Sequence, residues 1–457
     1  MKNTERLKRE FERVEKVIEY YRPLVDPLYE APPEEFRRRQ KVVRDALAKK
    51  GYEIGFVFSD EEYCGDVPYL GSNTNLSIEQ VAGVIGVKGG FHLLAGLEGG
   101  YLAEEQSKRS GAAVHKVELL QLADEIYPVK AERLEDVLAA AAGKPISNVG
   151  SVALLTPREV VPVALISYLE KIFGPAGVKD EQQLYQQIKN RKSDVEMRLI
   201  RDASTVADAM MRGMLAVLKP GMLETEVAAW AYFIGQELGC EDTGVKTIVN
   251  DGQAVRTIYG PARNRPINKG NWVNLGVAPK RDGLNSCIRR TVVMADSPAD
   301  IHDETTYWFD FVEEAYRVGY QKYVEVAEKN LPARLQEQAL VDFFRSKSDE
   351  ISWKIGKRVF MEQLKPYTGT HNSGYTECQE FYGAITLKSN EPLDEQVVTM
   401  LDVAIRGYGD TCDEVIIPGL DYIVIENTLG KSGKKVETFT KLPLNVQHMV
   451  GNVERLR

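Results

Sequence analysis

Between Glu53 and Ile172 the period of the apolar residues switches repeatedly, and that switching restricts the fold more than any other feature of the chain. Ile54-Gly55-Phe56-Val57-Phe58, Val81 to Val87, Phe91 to Leu94 and Val152 to Leu155 are short runs rich in β-branched and aromatic residues. Leu134 to Ala142 and Val161 to Ile172 have helical character and lie among them. Strands alternating with helices predict an α/β domain over about 30–175. Its Gly83-Val84-Ile85-Gly86-Val87-Lys88-Gly89-Gly90 stretch lacks the strand, Gly-rich turn, Lys-Ser/Thr and helix order of a phosphate loop, and reads as a hairpin turn. Ahead of it, Leu7, Phe11, Val14 and Val17 stand at helical spacing. Pro32-Pro33-Glu34-Glu35 then opens a second helix that Gly51 can end.

A boundary falls near Gly174 to Asn190, which divides the chain into residues 1–185 and 186–457. Beyond it Ser193-Asp194-Val195-Glu196 has the form of a capping box, with Ser193 taking a backbone N–H and Glu196 reaching back. Ile200, Ala203, Ala207, Met210, Met211 and Met214 make one face of the helix that follows, and a methionine stripe of this kind is core filler. Pro220-Gly221 ends that helix, and another runs from Glu224 to Leu238. Strand-like runs return at Trp272 to Val277 and Ile288 to Met294. Long helices over Asp303 to Asn330 and Ala333 to Lys347 then precede a β-rich tail from Gly383 to Ile425. No repeat of solenoid length is present.

Charge and cysteine content exclude several classes of function. With 67 acidic against 58 basic residues, the chain lacks the basic balance of a nucleic-acid binder. No apolar run reaches the length of a membrane span, and Met1 to Tyr21 has no apolar signal-peptide core. Five cysteines cannot make a disulfide framework in 457 residues. A cytoplasmic protein with no nucleic-acid or membrane partner is the expectation.

Lys192-Ser193-x-x-Glu196-x-x-x-Ile200-Arg201, then Lys219-Pro220-Gly221-Met222-x-Glu224, resembles the opening of the catalytic domain of the creatinase/prolidase/aminopeptidase P superfamily. Gly270-Asn271-Trp272-Val273, Arg290-Thr291-Val292-Val293 and His371-x-x-Gly374 follow in the family's order. The resemblance covers about 185–430 and implies an α/β N-terminal creatinase/prolidase-like domain plus an α+β pita-bread C-terminal domain. It also implies a homodimer. Metallopeptidases of the family hold two metal ions on five carboxylate and histidine ligands around an activated water. Carried over position by position, the two aspartates fall on Gly276 and Cys287, and the histidine on His371. The two glutamates fall on Leu401 and Asp413, and the family's further histidines on Ile258 and Cys378. The resemblance therefore implies no metal pair and no cofactor.

Creatinase works on this fold without metal, so the leading expectation is a creatinase-like, metal-independent hydrolase or lyase. It would act on a C–N bond of a small carboxylate-bearing substrate. His371 would be its acid/base, and Cys287 or Cys378 a thiolate nucleophile, although free cysteines are more often small core residues. Arg289 stands where creatinase grips a guanidinium with a glutamate, and a guanidinium fork there suits a carboxylate instead. Tyr259, Tyr375, Glu377, Glu380 and Asp413 are further candidates to line the cleft. A single zinc on Cys287, Cys378, His371 and Asp413 is a second arrangement of the same residues. The alternatives are a non-catalytic pita-bread binding protein, or an Xaa-Pro metallopeptidase if the ligand register is displaced.

Overall fold

A computed structural model describes residues 2–71, 80–121, 130–252, 260–295, 301–366, 369–376, 383–411 and 413–452. The chain forms two compact units: Glu30–Arg191 with Gly374–Tyr382, and Met1–Tyr29 with Lys192–Ser373 and Gly383–Arg457.

The chain begins with α1 (Lys2–Tyr21). The unit built on Glu30–Arg191 then contains α2 (Pro33–Lys50), β1 (Ile54–Ser59), α3 (Asp66–Gly71), β2 (Val81–Gly86), β3 (Gly90–Ala95) and α4 (Gly99–Ser110). It continues through β4 (Ala113–Lys116), α5 (Leu134–Ala142), β5 (Val152–Leu154), α6 (Val163–Phe173), β6 (Val178–Asp180) and α7 (Gln182–Asn190). Its sheet runs β4-β3-β2-β1-β5-β6, with the β1–β2 and β2–β3 pairs antiparallel and the other three parallel. The glycine run is the β2–β3 hairpin, in which Gly86 pairs with Gly90. A Cβ on Gly86 would stand 1.8 Å from the Ala141 carbonyl oxygen, so the glycine lets α5 close on the hairpin. Pro33 in the first turn and Gly51 at φ +83° bound α2 as proline and glycine do at helix ends.

The other unit follows with α8 (Asp194–Val217), α9 (Glu224–Glu237), β7 (Ile248–Asp251), β8 (Trp272–Val277), the short β9 (Lys280–Arg281) and β10 (Leu284–Asn285), and β11 (Ile288–Val293). After them come α10 (Asp303–Lys329), α11 (Arg334–Ser346), α12 (Ser348–Ile355), β12 (Thr370–Asn372), β13 (Gln396–Arg406), β14 (Tyr422–Ser432) and β15 (Lys435–Thr438). The capping box forms: Ser193 Oγ accepts from the Glu196 N–H at 3.1 Å, and Glu196 accepts from the Ser193 N–H at 2.8 Å. The sheet order is β12-β13-β14-β11-β8-β7, with β15 added to β14.

Successive side chains on a strand point to opposite faces, and the two faces of this sheet differ in kind. Val273, Leu275, Val277, Ile288 and Val292 join Met210, Met211 and Met214 in one core, so the methionine stripe is packing. Leu401, Val403, Ile405, Ile423 and Ile425 join Trp308, Phe311 and Val312 in another. The helices thus cover one face, and the intervening residues point the other way. Val14, Val17, Ile18 and Tyr21 of α1 belong to the first of these cores, because their apolar side chains find cover beside α8. The division at residue 185 had grouped this helix with the α/β domain; its packing joins it to the sheet that follows Lys192.

Candidate functional site

On the face opposite the helices, four buried residues align across four neighbouring strands. Gly276 of β8 pairs with Arg289 of β11, Arg289 with Glu426 of β14, and Glu426 with Asp402 of β13. His371 of β12 pairs with Met400, whose side chain shares the face of Asp402. His371, Asp402 and Glu426 are all buried, and a ligand atom from each lies within 4.8 Å of the other two.

A guanidinium stands against the carboxylates. Arg289 Nη1 is 3.1 Å from Asp402 Oδ2, its Nε is 3.7 Å from Glu426 Oε2, and its Nη2 donates to Tyr422 Oη at 2.8 Å. With 2% of its surface exposed, Arg289 is engaged internally, which differs from the expected fork open to a substrate carboxylate. His371 Nε2 faces Glu426 Oε1 at 3.6 Å, and its Nδ1 lies 3.1 Å from the Asn372 carbonyl oxygen. A carbonyl can only accept, so Nδ1 carries a proton, and Nε2 is the nitrogen turned toward Glu426.

Arg290, next in sequence, points the opposite way. Its guanidinium donates to the carbonyls of Arg289, Glu426, Leu442 and Pro443 and to Asn427 Oδ1, with distances of 2.7–3.0 Å. Complete burial pushes its pKa down to about 10, and the carbonyl cage makes it a fastener between strands rather than a second charge in the site.

Two ligand positions implied by the resemblance require correction. Leu401 lies in the apolar core with the α10 residues, and its neighbour Asp402 points into the site. A shift of one residue along a strand exchanges its faces, so the error moved the assignment from a carboxylate to a leucine. Asp413 is exposed in the connection between β13 and β14, and Glu426 supplies the carboxylate on β14. The signal was present as Ile425-Glu426-Asn427-Thr428, beyond a connection whose length hid the register.

The remaining candidates separate. Cys287 is buried with Ala278 and Met400 in a small apolar cluster, while the donor group formed around His371 consists of His371, Asp402 and Glu426. With Asp413 exposed, the expected zinc set is not assembled from its described members. Tyr375 is buried in the unit of Glu30–Arg191, where its hydroxyl accepts from Arg39 and its ring meets Tyr69 edge-on. Tyr259, Glu377, Cys378 and Glu380 lie outside the described residues. Of the histidines given no functional role, His92 and His115 hydrogen-bond each other at 2.9 Å.

Sequence reasoning missed a polar pair beside this row. Asn250 of β7 pairs with Asn274 of β8, and Asn274 with Thr291 of β11. Val249, Val273 and Leu275 lie in the helix-covered core, so both asparagines project from the same face as Gly276. Asn274 is fully buried, and neither end of its amide has a hydrogen-bond partner among the described residues.

Residues 198–407 match metallopeptidase family M24. That match covers a little under half of the chain, and the fold, an α/β first domain followed by a pita-bread second domain, is the one seen in solved prolidase and X-Pro aminopeptidase structures. Among curated proteins, it is 26% identical over 170 residues to an Xaa-Pro dipeptidase of Pyrococcus horikoshii, an alignment covering 36% of this chain and 46% of that protein. It is also 26% identical over 148 residues to the uncharacterized peptidase YqhT of Bacillus subtilis, covering 32% and 36% of the respective chains. These alignments span less than half the length of either relative. The structure of the Pyrococcus horikoshii prolidase superposes with a TM-score of 0.66 at 18% identity, over 89% of this chain and 99% of that one. X-Pro aminopeptidase from Thermotoga maritima gives a TM-score of 0.67 at 18% identity, over 89% and 98%.

The described donors do not fit a pair of divalent ions. Two ions sharing a water need about five hard ligands. This face assembles three, and a guanidinium already stands against two of them.

Proposed function

We propose that the chain is an M24-type hydrolase acting on the C–N amide bond of a short, carboxylate-bearing peptide or peptide-like molecule, without a two-metal centre. The buried His371–Glu426 contact beside Asp402 and Arg289 carries this reading. His371 Nε2 takes a proton from the water whose oxygen adds to the amide carbonyl carbon, Glu426 stabilises the resulting imidazolium, and that proton passes to the amide nitrogen as the C–N bond breaks to release acid and amine. Arg289 balances one of the two carboxylate charges and holds both side chains in place. Asn250 and Asn274 offer amide groups of the kind a peptide bond pairs with. Because two of the similar proteins are named Xaa-Pro dipeptidases, dipeptides ending in proline are the first carboxylate-bearing substrates to try.

The test is turnover of an Xaa-Pro dipeptide panel by wild type and His371→Ala, with and without manganese, beside calorimetric binding of the same peptides. The variant should lose at least about 100-fold in turnover while still binding. Turnover that requires manganese, or that survives His371→Ala, overturns the reading. A second reading, a binding protein without catalysis, is favoured by the guanidinium packed into the site. It predicts peptide binding of equal strength in both proteins and turnover in neither. We further propose that the chain works as a homodimer, on the strength of the family resemblance; light scattering should give twice the chain mass. Among the described residues no helix is long and apolar enough to cross a membrane.

A further inference from the structure

The row Gly276–Arg289–Glu426–Asp402 contains an unusual exchange of volume and charge. A Cβ added to Gly276 would lie 2.8 Å from Arg289 Cγ, so the arginine stem occupies the space that a side chain at 276 would need. The head of that stem lies 3.1 Å from Asp402 and 3.7 Å from Glu426, at 2% exposure. Two carboxylates buried this deeply require a compensating cation, and the guanidinium is one supplied by the chain itself. His371 completes a set of one imidazole nitrogen and two carboxylate oxygens within 4.8 Å of one another. That is a donor set suited to manganese, cobalt or zinc.

We infer that Arg289 is a built-in cation standing in for a metal ion, and that a neutral side chain at 289 turns His371, Asp402 and Glu426 into a site for one divalent cation. The positive charge is then exchangeable, where the present one is covalently fixed. No catalytic role is needed for this, so the inference stands apart from the proposed hydrolysis. Glycine at 276 and arginine at 289 act as a matched pair, since the missing side chain of one accommodates the stem of the other.

Manganese and zinc titrations by calorimetry, with thermal melts at each metal concentration, test this on the full-length chain. Arg289→Ala should bind one ion per chain at least about tenfold more tightly than wild type, and its melting temperature should rise with added metal. Adding Glu426→Gln to Arg289→Ala should abolish both effects. Arg289→Gln is the second variant in case alanine leaves the carboxylates too exposed to each other for folding; it keeps most of the volume and hydrogen-bonding capacity without the charge. Arg289→Lys, which keeps the charge, should remain as indifferent to metal as wild type. If both neutral variants fold and bind metal no better than wild type, or if the gain survives Glu426→Gln, the inference fails. Should neither neutral variant fold even when refolded with manganese or zinc, it fails as well, because the ion should replace the lost charge.

Discussion

Gly276 and Arg289 face each other across β8 and β11, and each limits what the other can be. An aspartate at 276 would drive its Cβ to within 2.8 Å of Arg289 Cγ, so Gly276→Asp should cost about 1–3 kcal/mol in chemical denaturation. Arg289→Thr added to Gly276→Asp removes the nearest obstruction, leaving Ile248 Cδ1 at 3.1 Å, and the pair should be less destabilised than the sum of the two single changes. Simple additivity would show that the side chains do not compete for volume. Residue-level legibility was uneven. His371 was evident because the His371-x-x-Gly374 spacing marks it, whereas Asp402 and Glu426 depended on strand register, to which local sequence is nearly blind. Arg289 was noticed for its charge, but its engagement with Asp402 and Glu426 rests on contacts 113 and 137 residues away in sequence.

At the scale of elements, signals confined to a few neighbouring residues translated well. The Ser193/Glu196 capping box, the Gly51 helix end and the Gly83–Gly90 hairpin each depend on short-range backbone chemistry, and each is present in the structure. What the glycine run did not disclose is that α5 approaches it. Gly86→Ala should therefore be destabilising by more than the usual cost of filling a tight space, at least about 1–3 kcal/mol, because the obstruction is the Ala141 backbone and not a movable side chain. Thermal denaturation measures this, with Gly51→Ala as the comparison. A Cβ at Gly51 meets nothing within 4 Å, and the cost there is confined to its positive φ, about 1 kcal/mol. Equal losses at the two positions would mean that α5 yields.

Over the whole molecule, the segments that complete the unit built on Lys192–Ser373 come from both ends of the chain. The α1 helix contributes to the core beside α8, and Asp208 of α8 accepts from the Lys441 and Leu442 backbone N–H groups at 2.5 and 3.1 Å. Sequence patterning identified the helices but could not say which sheet would bury α1, because an amphipathic face specifies the need for cover and not its source. Burial raises the Asp208 carboxyl from 3.8 to about 6, so the folded chain binds this proton more tightly than the unfolded one. Its contribution is fully present below about pH 4 and is lost as pH rises through about 6. Relative to Asp208→Asn, wild type should lose roughly 3 kcal/mol of unfolding free energy across that interval, following about 1.4 kcal/mol per pH unit. A difference that is flat with pH would contradict this assignment.

The replacement of a two-metal centre by a fixed guanidinium is the claim on which the chemistry of the site depends. Elemental analysis of the untagged wild-type chain, after equilibration with manganese and then zinc and removal of loose ions, tests it most directly. The Arg289 ion pairs predict no tightly held pair of ions in either metal. Two ions retained per chain, and turnover of Xaa-Pro dipeptides that tracks their occupancy, would contradict the account and make the chain a conventional metallopeptidase.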